Sequence, residues 1–266
     1  MTTLSGAHVV VTGGSEGIGL AAARACAARG ARVSLLARRV DRLAAAAREL
    51  GGDVHTESVD VTDADAVARA VDACVAHHGP CDVLVTSAGL AEPGYFAELD
   101  LDVFRRQMDV NYFGTLHAVR AVVPAMVARR AGHVVLVSSD VGFMGVFGYS
   151  AYAPTKFAVK GLGECLRAEL APAGVHVSIV YPPDTETPGF ARENEAKPEE
   201  TARISASISP VPASRVGEAI ARGVERNRLT ITCDPQSAVL ARSIGLAGPV
   251  VRWFMDRTVR QVQRTR

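Results

Sequence analysis

The sequence predicts an α/β fold, a doubly wound parallel β-sheet of about seven strands with helices on both faces. Two observations carry that expectation. Short apolar runs rich in β-branched residues alternate with longer helical stretches, and parallel neighbours in a sheet need such helical crossovers. The first apolar run also leads straight into a glycine-rich turn and an alanine-rich helix, the order in which sheets of this class build a phosphate cradle. A length of 266 residues suits one large domain, here residues 1–235, with 236–266 as a separate amphipathic and basic tail.

The first strand, His8–Thr12, runs into Gly13-Gly14-Ser15-Glu16-Gly17-Ile18-Gly19 and a helix that ends near Gly30. Its glycines have GxxxGxG spacing. They permit a tight turn, let backbone approach a pyrophosphate, and leave the N–H groups of a helix start facing the negative charge. Taken alone, such a turn is also read as an ordinary loop. The second strand, 33–36, ends on Ala37-Arg38-Arg39. A site that binds the ribose 2′-hydroxyl of NAD usually places an acid there, whereas a 2′-phosphate needs cations, so the expected cofactor is NADPH/NADP+ with Arg38 as the main phosphate contact and Arg39 beside it. The alternative is a pair of solvated loop arginines, with Glu16 repelling a phosphate.

A strand at 54–59, a helix at 64–77 and a strand at 82–86 continue the alternation. Asp60-Val61 and Ser87-Ala88-Gly89 then fall at the carboxyl edge of the sheet, as candidates for the adenine and nicotinamide ends of the cofactor. His77-His78 closes a helix before Gly79-Pro80, a common place for cationic side chains, and receives no chemistry. Residues 99–127 are mostly helical and contain Asn111, either a satisfied buried amide or a residue that redirects local hydrogen bonding; the apolar surroundings favour the first. The strand at 133–138 is apolar enough for full burial and delivers Ser139 at its carboxyl end. Further on, Tyr152 and Lys156 are four residues apart in a helical stretch, on the same side of it. An ammonium held beside a phenol favours the phenolate, so the pair predicts an acidic tyrosine; the competing reading is an exposed pair on a helix surface.

Composition narrows the ligands. A net charge of +1, from 29 basic and 28 acidic residues, with 5% aromatic content, implies no nucleic-acid groove and no acidic partner, which leaves small molecules. The five cysteines are scattered without a CxxC pair, so no metal site is expected and they read as small apolar fillers in a reducing compartment. The first six residues have neither the basic region nor the apolar core of a signal peptide, and the expected location is the cytoplasm.

GxxxGxG, Asn111, Ser139, Tyr152 and Lys156, in this order and with thirteen residues from serine to tyrosine, resemble the short-chain dehydrogenase/reductase family and its Rossmann fold. The resemblance runs from about residue 6 to 235. It implies that Tyr152 is the general acid, that Lys156 lowers its pKa and bonds the nicotinamide ribose, that Ser139 orients the carbonyl, and that Asn111 holds a water relaying protons to Lys156. It places the cofactor against Gly13, Ser15, Gly17, Ile18, Gly19, Arg38, Arg39, Asp60, Val61, Ala88, Gly89, Tyr152, Lys156, Pro182 and Thr187. The chain departs from the family's pattern in two places. Thr86-Ser87-Ala88-Gly89 stands for an asparagine-containing turn, with Thr86 or Ser87 expected to support the sheet instead, and Pro182-Pro183 stands for Pro-Gly and starts its loop more rigidly.

The stretch from Tyr181 to Thr201 is similar to the corresponding loop of 3-ketodihydrosphingosine reductases, whose YPPDTxTPGF…EN…KPxET pattern it follows. That resemblance implies NADPH-dependent reduction of 3-ketosphinganine to sphinganine, with residues 184–212 as a substrate lid. Competing expectations are a reductase of another long or bulky ketone, such as a 3-oxoacyl thioester or a steroid, and a protein that binds NADP without turnover. Val141, Phe143, Met144, Val146, Phe147 and Phe190 offer apolar walls for a long-chain keto lipid, or ordinary core contacts. Asp184, Glu186, Glu193 and Glu195 offer attraction for its ammonium, or a solvated lid.

In the tail, Arg242 and Arg252 leave only nine uncharged residues between them, too few to span a bilayer. Ile244, Leu246, Pro249, Val250, Val251, Trp253, Phe254 and Met255, followed by Arg257, Arg260, Arg264 and Arg266, suit either peripheral contact with anionic lipid or packing on a second subunit. By analogy with the family, apolar faces in 116–127 and 157–170 suit a homo-oligomer, a dimer or tetramer.

Overall fold

The computed structural model describes residues 1–206 and 209–264, so that 207–208 of the expected lid and 265–266 of the expected tail, Arg266 included, lie outside the described residues. The elements alternate as β1 (His8–Thr12), α1 (Gly17–Ala27), β2 (Arg32–Ala37), α2 (Val40–Leu50), β3 (Val54–Ser58), α3 (Ala64–His78) and β4 (Val83–Thr86). There follow α4 (Leu101–Met108), α5 (Gly114–Arg129), β5 (Gly132–Val137), α6 (Ala153–Leu170), β6 (Val175–Val180), β7 (Thr185–Glu186), α7 (Pro188–Ala196) and α8 (Glu199–Ser205). The chain closes with β8 (Val211–Pro212), α9 (Ala213–Glu225), β9 (Thr230–Ile231) and α10 (Pro235–Arg264).

Seven strands form one parallel sheet in the order β3-β2-β1-β4-β5-β6-β9. Because successive side chains of a strand point to opposite faces, each apolar run divides between two cores. Val9, Val11, Leu35 and Val135 meet Ala22 and Cys26 of α1 and Val216 and Ile220 of α9 on one face. Val10, Leu36, Leu84 and Leu136 meet Val67 of α3, Val119 and Met126 of α5 and Val159 of α6 on the other. The strand order reverses between β1 and β4, which opens a crevice at their carboxyl ends.

The expected lid is folded. β7 and β8 pair in parallel, Thr185 opposite Val211, and close its base. The segment between them carries two helices: Thr187 caps α7 by accepting a hydrogen bond from the Phe190 N–H at 3.0 Å, Pro188 occupies the first turn, and Pro198 separates α7 from α8. α10 docks through Ser237, whose hydroxyl donates to Asp140 Oδ2 at 2.7 Å. The tail then bends by 112° between Pro235–Gly245 and Ala247–Arg264; no single helix among the described residues is long and apolar enough to cross a membrane, although the two arms together pass by length and composition.

Cys26, Cys74 and Cys81 are buried fillers, but Cys165 is exposed and Cys233 half-buried. His77 and His78 are drawn into more than a helix end: His78 is buried, its ring meets those of His8 and His77, and Asp53 lies 3.0 Å from His77 Nε2.

Candidate active site

Ser139, Tyr152 and Lys156 converge at the carboxyl end of β5. Ser139 is extended and opens a 3-10 turn at Asp140–Gly142, with its Oγ accepting from the Val141 N–H at 3.4 Å. Tyr152 takes the helical conformation immediately before α6, and its hydroxyl hydrogen-bonds Ser139. One turn further, Lys156 is buried; its Nζ donates to Val137 O at 3.1 Å and sits 5.6 Å from the centroid of the Tyr152 ring. Burial pulls this ammonium down to about 8.

The phenol is not acidic in this arrangement. Burial pushes the Tyr152 pKa up, the negative charge of Glu193 adds to the rise, the bond to Ser139 opposes it, and Asp184 adds a smaller push. The physical reason is directional. Lys156 aims its hydrogen bond at a backbone carbonyl, whereas two carboxylates of the lid act on the phenol. A tyrosine that keeps its proton is the form a general acid needs.

Asn111 meets both readings of it. It occupies a π-helical turn, Asp109–Phe113, between α4 and α5, and its amide makes three bonds: Nδ2 donates to Leu90 O and to Thr155 Oγ1, both at 2.9 Å, while Oδ1 accepts from the Leu90 N–H at 2.9 Å and keeps one lone pair. Thr155 in turn donates to Tyr152 O at 2.7 Å, so the π turn and the first turn of α6 hold each other. Neither Thr155 nor Leu90 stood out in the sequence, because their roles arise from a contact between distant segments.

The crevice fits a dinucleotide. Gly13 has φ +67°, and a Cβ there would lie 2.7 Å from Ala88 N; Gly17 has φ +60°, and a Cβ there would lie 3.2 Å from the Thr187 methyl. Side chains at these positions would fill the cradle between the turn, with its Ser15 and Ile18, the Ser87-Ala88-Gly89 segment and Thr187. α1 starts at Gly17 without a side-chain cap, as an anion-binding helix start does. Thr86 Oγ1 donates to Val135 O at 3.4 Å and the Ala88 N–H to Thr12 Oγ1 at 3.3 Å, so the sheet keeps its support in the altered turn. Pro182 O accepts from the Asp140 N–H at 3.1 Å, which ties the start of the lid to the turn after Ser139.

At the end of β2 the charges are paired in an unforeseen way. Arg39 bonds Glu16 at 2.7 Å, and Arg192 of the lid bonds the other oxygen of Glu16 at 3.0 Å. Glu16 therefore joins the glycine turn to the lid. Arg38 is the less engaged arginine, 68% exposed and 3.8 Å from Asp60. Asp60 Oδ1 accepts from the backbone and hydroxyl of Thr62, and Val61 O contacts His117 Nδ1 at 2.9 Å.

The lid brings a charged group to the tyrosine. The Tyr149 hydroxyl donates to Glu193 Oε1, and the Tyr149 and Tyr152 rings are 5.7 Å apart. Lys197, 2% exposed, lies 3.1 Å from Glu193 Oε1 and 3.9 Å from Asp184, over the ring of Phe190. Glu186 and Glu195 are exposed. Beside Tyr152 a cavity of about 770 Å³ is lined by Tyr95, Phe96, Val146, Phe147, Tyr149 and Phe157, among others. Val146 and Phe147 were expected there; Phe143 instead stacks on Tyr181 at 4.1 Å, and Val141, Met144 and Phe190 do not line it.

Comparison with known proteins agrees with this geometry. The family model described as short chain dehydrogenase matches residues 7–198. The chain is 43% identical over 227 residues to a 3-ketodihydrosphingosine reductase of Bos taurus, covering 82% of this chain and 68% of the relative. It is 39% identical over 246 residues to a 3-dehydrosphinganine reductase of Danio rerio, covering 90% and 74%. Among solved structures, an alcohol dehydrogenase from Thermococcus sibiricus complexed with 5-hydroxy-NADP is 26% identical with a TM-score of 0.74, covering 85% of this chain and 95% of that one.

Proposed function

We infer the reaction from one premise: this chain belongs to the short chain dehydrogenase family, whose model matches most of its length. The protein is a nicotinamide-dependent oxidoreductase acting on a ketone, and the ketone is 3-ketosphinganine, reduced to sphinganine in sphingolipid synthesis. The observation that carries this substrate is the 39–43% identity, over most of the chain, to reductases that bear its name. The proposed cofactor is NADPH, on the strength of Arg38 and Arg39 where β2 ends.

Gly13, Ser15, Gly17, Ile18 and Gly19 would hold the pyrophosphate, Arg38 and Arg39 the adenosine phosphate, Asp60 and Val61 the adenine end, and Ala88, Gly89, Pro182 and Thr187 the nicotinamide end. The nicotinamide, when bound, supplies hydride to the carbonyl carbon. The chain's own residues manage the oxygen. Ser139 donates a hydrogen bond that fixes the carbonyl, and Tyr152 passes its phenolic proton to the oxygen as charge builds there, a contact that strengthens in the transition state. Lys156 and Asn111 Oδ1 border the same space at Gly89, within 3.6 and 3.1 Å of where its Cβ would stand; there Asn111 Oδ1 would accept from a water that passes protons to Lys156, and Lys156 would return a proton towards Tyr152.

Purified protein with NADPH and 3-ketosphinganine tests the reading: NADPH oxidation with sphinganine formed is the expected result. Turnover of a 3-oxoacyl thioester or a steroid without turnover of the amino ketone would overturn it. The enzyme works in the cytoplasm at a membrane periphery, with α10 as its lipid contact, since Val250, Trp253 and Phe254 are exposed beside Arg252, Arg257 and Arg260. Flotation with anionic vesicles that fails for the whole chain as it fails for a chain ending at 236 rejects that contact. Exposed Val127 and Phe157 lie on the helix faces 116–127 and 157–170 proposed for a homo-oligomer, Phe157 also lining the cavity.

A further inference from the structure

The proposed chemistry leaves one charged group beside the general acid without a task. Glu193 is on α7, its side chain 14% exposed. Its Oε1 accepts from the Tyr149 hydroxyl and lies 3.1 Å from the Lys197 ammonium. Lys197 also faces Asp184, and one buried ammonium thus serves two carboxylates. Burial pushes both carboxyls up, so with one ammonium between them each resists carrying its charge. A buried charge without its counter-ion is costly, and a cationic ligand would remove that cost.

The position of this group relates it to the reaction. Tyr149 joins it to Tyr152, with the two rings 5.7 Å apart, and Tyr149 also lines the cavity. Ser150, between the two tyrosines in sequence, lines the same cavity, and its hydroxyl oxygen is buried with no hydrogen-bond partner among the described residues. Away from these polar atoms the lining includes Tyr95, Phe96, Val146, Phe147 and Phe157. The cavity has a polar end at Tyr149 and Ser150, with Glu193 bonded behind Tyr149, and apolar walls elsewhere, an arrangement that suits an amphiphile.

We propose that Glu193 is the ammonium-binding residue of the substrate site, which selects α-amino ketones over neutral ketones. This rests on the sphingoid-base reading and deepens it. In 3-ketosphinganine the ammonium is on the carbon next to the ketone carbon. Once the carbonyl oxygen is held by Ser139 and Tyr152, the ammonium is one carbon from the carbonyl, and Tyr149, with Glu193 bonded to it, is the neighbour of Tyr152 that offers it a carboxylate. The interaction also discriminates: a 3-oxoacyl thioester or a steroid brings no cation and leaves the buried carboxylate unbalanced. Lys197 and the Tyr149 hydroxyl hold Glu193 in place, while Glu186 and Glu195 remain in solvent.

The test compares 3-ketosphinganine with its 2-deamino analogue, the same chain with hydrogen in place of the amine, at saturating NADPH. Wild-type enzyme is expected to favour the amine in kcat/KM by about tenfold to a hundredfold, the range of a charge-assisted hydrogen bond. Glu193→Gln keeps an acceptor for Tyr149 but removes the charge, and should bring that ratio down towards one, mainly through KM for the amino ketone. Glu193→Asp should recover part of the ratio. A wild-type ratio near one, or a Glu193→Gln enzyme that loses activity on both ketones with its ratio intact, would overturn the proposal. An enzyme that turns over neither of these ketones but accepts a 3-oxoacyl thioester instead locates the failure in the sphingoid-base reading, on which the proposal depends.

Discussion

Replacing Arg38 with alanine should separate the two nicotinamide cofactors. Arg38 is 68% exposed, and its nearest partner, Asp60, is 3.8 Å away, beyond hydrogen-bonding distance. Its guanidinium can therefore turn to a 2′-phosphate without breaking a strong contact. Arg39 differs, because it is bonded to Glu16 at 2.7 Å and must release that carboxylate first. A charge-assisted hydrogen bond contributes about 1.5–3 kcal/mol, and solvent at this open edge reduces it to about 1–2 kcal/mol. Arg38→Ala should then weaken NADPH by roughly 5–30-fold and leave NADH within about twofold. Arg39→Ala should cost less, and Glu16→Gln, which frees Arg39, should tighten NADPH. Fluorescence titration of both cofactors at low and high salt reads these outcomes, the NADPH loss shrinking as salt rises. Equal losses for NADPH and NADH would show that β2 does not end at a 2′-phosphate site.

Three further outcomes are expected. Tyr152→Phe should lower kcat by about 10²–10⁴-fold, the usual contribution of a positioned acid, with NADPH affinity nearly unchanged; a kcat within threefold of wild type would remove Tyr152 from the reaction. Gly19→Ala should abolish cofactor binding and lower the melting temperature, since its Cβ would lie 2.3 Å from Gly13 O, against a backbone that cannot turn away; a variant with native stability would show that the turn has slack. Asp140→Asn should change the pH dependence of stability. Burial raises the Asp140 carboxyl to about 7, so the neutral form is favoured on folding, and this contribution is complete below the ordinary carboxylate value of about 3.9 and lost as pH rises through 7. The asparagine can still accept from Ser237, and it should melt higher than wild type at pH 8 but not at pH 4, as calorimetry can measure.

Much of the fold is legible in the sequence because its signals are local. The apolar run His8–Thr12 reports a strand wherever it is placed, and GxxxGxG reports a turn that only glycines can make. The same holds for the helical spacing of Tyr152 and Lys156. Local signals were weaker for the lid, where residues 184–212 read as a loop although Thr187, Pro188 and Pro198 bound two helices. The acidic tyrosine was misjudged for a different reason. Sequence spacing put a lysine near the phenol, but it carries no information about burial or about Glu193, 41 residues further on.

By itself, then, the sequence determined the alternation of strands and helices as far as β6, the glycine cradle, and a serine, a tyrosine and a lysine at one edge of a parallel sheet. The tertiary structure decided which charges act. Asp184, Glu186, Glu193 and Glu195 are equivalent acids in a charged stretch of chain, and only the packing of α7 against Tyr149 buries Glu193 beside Tyr152 while leaving Glu186 and Glu195 in water. The same packing turns Glu16 from a group that would repel phosphate into a link between the glycine turn and Arg192. Backbone preference and periodicity are properties of neighbouring residues, whereas desolvation and charge pairing depend on what distant segments bring together, and that sum is known only once the chain has folded.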